Sequence, residues 1–202
     1  MSNVKKNTLK LVQLALLSGL IILLQLYFVI PLPGSLTLSL VLVPIVVGAV
    51  LFGANSGAIL GGVFGVLVAI MAIQGQLGLL TNMMVAYNPL MTILICIFKG
   101  VAAGYVAGLV NSWFKKLSFV GILLAAAVAP IVNTGIFVLG MLTVFKGVMM
   151  DFAGQIGMGG TSALYFAVVV LVGVNFIIEF AANLVLSPAI ASIVKAVKKI
   201  GR

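Results

Sequence analysis

The chain has 202 residues, 64% hydrophobic and 6% charged, with a formal net charge of +9 and no histidine; its mean hydropathy is +1.41. Soluble domains carry about 25% charged residues, so a water-exposed globule is excluded and lipid must be the main solvent. The positive excess clusters at the ends of apolar runs, where topology and anionic lipid account for it; no nucleic-acid partner is expected.

A helix crosses the bilayer with about 20 apolar residues, and its backbone groups must be satisfied internally. The runs here are too long and too unalternating for barrel strands. Taken in order, the expected spans are Thr8–Ile30, Leu36–Phe52, Ser56–Ile73, Leu90–Trp113, Leu117–Val144 and Ala163–Ile190. They form one all-α membrane domain over residues 1–202. The first is too long for a signal core of about 7–15 residues, and no clear small-residue cleavage site follows it. "PLPGS" stops it, and "GANSG" separates the second and third. Two polar-leaning segments, Gln74–Pro89 and Phe145–Ser162, read as long connections.

The charges test this count. Lys5, Lys6 and Lys10 precede the first span, Lys115 and Lys116 follow the fourth, and Lys195 to Arg202 follow the sixth. Six crossings put all three clusters on one face, which the positive-inside rule makes cytoplasmic. Both termini are therefore expected inside, the two long connections outside, and the protein in the cell membrane as a multi-pass chain.

Gly57, Gly61 and Gly65 in the third span, and Gly100, Gly104 and Gly108 in the fourth, each recur every four residues. Such stripes let helices approach closely in lipid, where packing replaces the hydrophobic drive. Lys99, Ala103 and Ala107 run beside the second stripe, so Lys99 is expected to face the bundle interior. A lysine at mid-bilayer costs about 2.5–3.5 kcal/mol on insertion scales. Two readings stay open for it: a structural pair with Glu179, the other intramembrane charge of opposite sign, or a cation for an anionic substrate.

Polar residues gather at the outer end of the fourth span and in the connection before it, Asn82, Tyr87 and Asn88 among them. In the fifth, Pro130 removes a backbone donor just before Asn133 and Thr134. These amides and hydroxyls can serve as interhelical glue, as can Asn175 and Asn183, or be presented to a cavity beside the proline break.

Catalysis is not expected: no histidine, acid pair or nucleophile with a base is in evidence. There is no Gly-rich phosphate loop with its lysine, so any energy from ATP must come from other subunits. Neither a metal site nor a cofactor is expected. Cys96 reads as a small buried hydrophobe.

The stretches "KLVQLALLSGLIILLQL", "FGANSGAILGGVFGVLVAI" and "NPLMTILICIFKGVAAGYVAGLV", with the "KK" ending, resemble the substrate-binding S components of energy-coupling factor (ECF) transporters. "APIVNTGIFVLG" together with "NPLMTILICIFKG" is most similar to the pantothenate type. The resemblance implies a six-helix protein with a substrate pocket near the external side. It would bind a vitamin and deliver it inward by docking on a membrane coupling subunit with two ATPases. It further implies that Lys99 meets the pantothenate carboxylate, with Asn133, Thr134, Asn88, Tyr87 and Asn82 around the rest. Ala15 and Gly19 match the family's small-xxx-small docking pattern, with glycine in the second place. The alternatives are an S component for another vitamin, such as riboflavin or folate, and a stand-alone channel or facilitator for a small solute.

Overall fold

The computed structural model describes residues 3–28, 30–32, 36–38, 40–114 and 118–200; Lys115, Lys116 and Arg202 lie outside these ranges, as does most of the "PLPGS" stop.

The chain opens with helix α1, Asn3–Tyr27. Two three-residue strands follow, β1 (Ile30–Leu32) and β2 (Leu36–Leu38), paired antiparallel with Ile30 opposite Leu38 and Leu32 opposite Leu36. Only then does α2 begin, at Leu42–Phe52. The apolar run expected to span from Leu36 is thus divided between a strand and a helix of 11 residues. At 1.5 Å per residue that helix is about 16 Å long, about half the hydrocarbon thickness.

Gly53 turns the chain from α2 straight into α3, Ala54–Ile73, and its φ of 90° is one that side-chain-bearing residues rarely adopt. Gly78 (φ 92°) does the same before α4, Leu79–Tyr87. Asn88 then caps α5, Pro89–Trp113: its side chain accepts from Met91 N at 3.1 Å. Proline in the first helical position costs nothing, because that N–H has no helical partner in any case. Helix α6, Ser118–Thr143, contains Pro130. Helix α7 is Lys146–Gln155. The short α8, Ala163–Tyr165, passes into a π-helical segment, Phe166–Leu171, and then into α9, Gly173–Ile200. Both connections read as loops from the sequence therefore contain helices, α4 and α7.

Among the described residues, five helical segments are long and apolar enough to cross a membrane: Asn7–Tyr27, Ala54–Ile73, Pro89–Trp113, Phe119–Thr143 and Gly173–Val197. The chain is a multi-pass membrane protein by this measure.

The most extensive helix contact joins α3 to α5. A Cβ added to Gly57 would strike the Gly104 carbonyl, one added to Gly61 the Gly100 carbonyl, and one added to Gly65 the backbone of Ile97. The two glycine stripes thus lie against each other, running in opposite directions. Three apolar clusters surround this axis. One joins α1, α2, α3 and α5 through Ile21, Ile45, Leu60 and Ala103. A second joins α2, α5, α6 and α9 through Val46, Ala107, Ala126 and Ile190. The third packs α4 and α7 on the π segment through Leu80, Met84, Met149, Phe152 and Phe166.

Candidate functional site

Beside the close α3–α5 packing lies a cavity bounded by α3, α5, α6 and α9, amounting to about 860 Å³ with its open end included. Helix α5 contributes Thr92, Cys96 and Lys99, spaced by four and three and so on one helical face. Helix α6 contributes Asn133, Thr134 and Phe137, and α9 contributes Asn175 and Glu179. Phe64 and Val68 of α3 form an apolar wall, while Thr81 and Met84 bring α4 over one end.

Lys99 lies ten residues from Pro89, about 15 Å along α5, and the cavity is what keeps its head out of the lipid. Its ammonium stands 5.3 Å from the Phe137 ring centroid, within reach of a cation–π attraction. Glu179, 7% exposed, lines the same space and has interactions of its own. One turn on, Asn183 Nδ2 donates to the Glu179 main-chain oxygen at 2.8 Å.

Several amides are buried without being fully matched. Among the described residues, Gln25 Oε1, Asn133 Nδ2 and Asn175 Oδ1 have no hydrogen-bond partner, and all three residues line the cavity. A buried, unmatched polar atom costs roughly 1–3 kcal/mol. A polar solute can supply the missing partners. The arrangement thus combines one cation, one carboxylate, several one-sided amides and an apolar wall. That is chemistry for holding an amphiphilic small molecule.

Of the residues singled out from sequence, the structure brings Lys99, Asn133 and Thr134 together in the cavity. Asn88, Tyr87 and Asn82 are not among its lining residues. Asn88 spends its side-chain oxygen on the α5 cap, and its carbonyl accepts from Thr92 Oγ1 at 2.9 Å. Tyr87 is 66% exposed and meets Phe145 edge-on at 6.0 Å between centroids. Asn82 is exposed, near Gly75. Gln25, Thr92 and Asn175 were missed as site residues. The available signal was a polar residue flanked on both sides by apolar ones within a long apolar run, which lipid penalises unless it turns inward.

Ala15 and Gly19 lie away from the cavity on α1. Ala15 is exposed, and a Cβ on Gly19 would meet nothing within 4 Å.

A family model, that of the ECF transporter substrate-specific component, matches residues 9–191. Comparison with curated proteins gives no match. The match covers all five membrane-crossing segments save the first two residues of one and the last six of another, and the chain belongs to the family of ECF transporter substrate-specific components.

Proposed function

We propose that this chain captures an organic anion, with pantothenate the best match, from outside the cell membrane. It delivers that vitamin inward by docking on a membrane coupling subunit served by two ATPases. Membership of the family makes it a substrate-specific transporter subunit, generally without catalysis of its own. The observation that carries the anion is Lys99, a cation about 15 Å along its helix, beside the buried amide of Asn133 in a shared cavity. Pantothenate carries a carboxylate, an amide and two hydroxyls. Lys99 would meet the first, and Asn133 and Thr134 the polar middle.

The orientation proposed with this function has both termini in the cytoplasm, α4 and α7 outside, and α2 with the preceding hairpin making up a sixth crossing. The basic residues near both ends support it. Tags at both ends should be shielded from an impermeant reagent in intact cells; labelling of one end alone refutes this topology.

The decisive experiment is mass spectrometry of small molecules released from protein purified gently in mild detergent. One organic anion per chain is expected. Release of only a neutral or cationic compound removes the assigned role of Lys99. Solute flux through liposomes holding this chain alone favours a self-sufficient facilitator.

A further inference from the structure

Among the described residues, Gln25 is the one from α1 that lines the cavity, and it is 2% exposed. Its Nε2 donates to the Met71 sulfur of α3 at 3.6 Å. A thioether sulfur has no proton to give, so this contact sets the direction of the amide: nitrogen towards Met71, with Oε1 left as an acceptor. Among the described residues nothing donates to that oxygen. On α9, Asn175 Oδ1 is likewise buried and without a donor. Asn133, 7% exposed, has the opposite deficit, an unmatched Nδ2 donor. The cavity thus holds two acceptors waiting for protons and one donor waiting for a lone pair, in addition to the Lys99 cation and the Glu179 carboxylate, which has interactions of its own.

A bare apolar carboxylate would satisfy Lys99 and leave both acceptors unmatched. Hydroxyl groups are the economical complement, since each can donate to one group and accept from another. A site built to hydrogen-bond a hydroxyl discriminates strongly against the analogue lacking it. We propose that Gln25 is a specificity residue whose Oε1, together with Asn175 Oδ1, accepts hydrogen bonds from hydroxyls of an anionic ligand. This inference rests on the anion reading above and names what else the ligand must carry.

The test compares two probes on the purified full chain by isothermal titration: pantothenate, and N-(3,3-dimethylbutanoyl)-β-alanine, which keeps the carboxylate and amide but lacks both hydroxyls. The wild type is expected to prefer pantothenate at least tenfold. Gln25→Leu should cut that ratio at least threefold, weakening pantothenate more than the deoxy probe. Asn175→Leu provides a second variant should Gln25→Leu not fold, with thermal melting of the empty proteins as the check. Equal wild-type binding of both probes overturns the hydroxyl inference and leaves the anion reading intact. A preference undiminished by both substitutions overturns the assignment to these residues. If the wild type binds neither probe, the pantothenate reading falls and this inference with it.

Discussion

The ammonium of Lys99 and the ring of Phe137 face each other across the cavity at 5.3 Å. An attraction of this kind contributes about 0.5–1 kcal/mol at exposed sites and about 2 kcal/mol when desolvated. That only partly offsets the cost of a lysine at this depth, about 2.5–3.5 kcal/mol. If the remainder is recovered by ligand, Lys99→Met, which keeps the stem and removes the charge, should weaken binding of an organic anion by at least about tenfold, or ~1.4 kcal/mol. The empty protein should melt no earlier than wild type. Titration calorimetry and thermal melting read the two effects separately. Normal binding with early melting would instead make Lys99 the structural partner of Glu179, since removing one member of a buried pair leaves the other charge uncompensated.

Gly61 and Gly62 are neighbours in sequence with opposite surroundings. A Cβ on Gly61 would overlap the backbone carbonyl of Gly100, which cannot swing aside as a side chain can. One on Gly62 would lie 3.5 Å from Val101 Cγ2, an ordinary contact. Gly61→Ala should therefore force α3 from α5 and destabilise the protein by roughly 1–3 kcal/mol, the usual range for overpacking. Gly62→Ala should be neutral. Equal melting temperatures for the two variants would mean that the stripes do not set the α3–α5 distance.

These stripes were legible in the sequence because a four-residue period has one structural meaning on a helix. The inward placement of Lys99 was legible for an energetic reason: lipid leaves a charge few places to go. Other features left weaker traces. Residues 36–52 form a nearly continuous apolar run, and hydropathy does not distinguish the strand at Leu36–Leu38 from the helix that starts at Leu42. Helices α4 and α7 mix polar and apolar residues because one face of each packs on the bundle through Leu80, Met84, Met149 and Phe152. That mixture looks like a loop when the face is not known. The same short helix explains why Tyr87 and Asn82 miss the cavity, while Thr81 and Met84 reach it. Gln25 is a lone amide among leucines; only the packing of α1 on α3 reveals which way it turns.

Asn88 separates a capping role from a ligand role. Its side-chain oxygen accepts from Met91 N at 3.1 Å, satisfying a donor that the first turn of α5 would otherwise leave open. Asn88→Ala should cost about 0.5–2 kcal/mol of stability, as loss of an N-cap does, and leave ligand affinity unchanged. Asn88→Ser, which can still cap, should recover the melting temperature. Loss of affinity at unchanged stability would return Asn88 to the binding site.

Helix α1 carries the surface proposed for docking. Only 11% of its apolar span is buried; Leu11, Leu16, Leu20 and Leu23 are all exposed. Ala15 and Gly19 lie four residues apart on the same helical face; Ala15 is exposed, and there is open space where a Gly19 Cβ would stand. Lipid tails gain nothing from a shallow groove that a partner helix can enter closely. Ala15→Trp would fill that groove without touching the cavity, to which α1 contributes Gln25. Co-purification with the coupling subunit should fall sharply, while ligand affinity and melting of the isolated chain hold. Undiminished co-purification would remove this face from the docking surface and leave lipid as its neighbour.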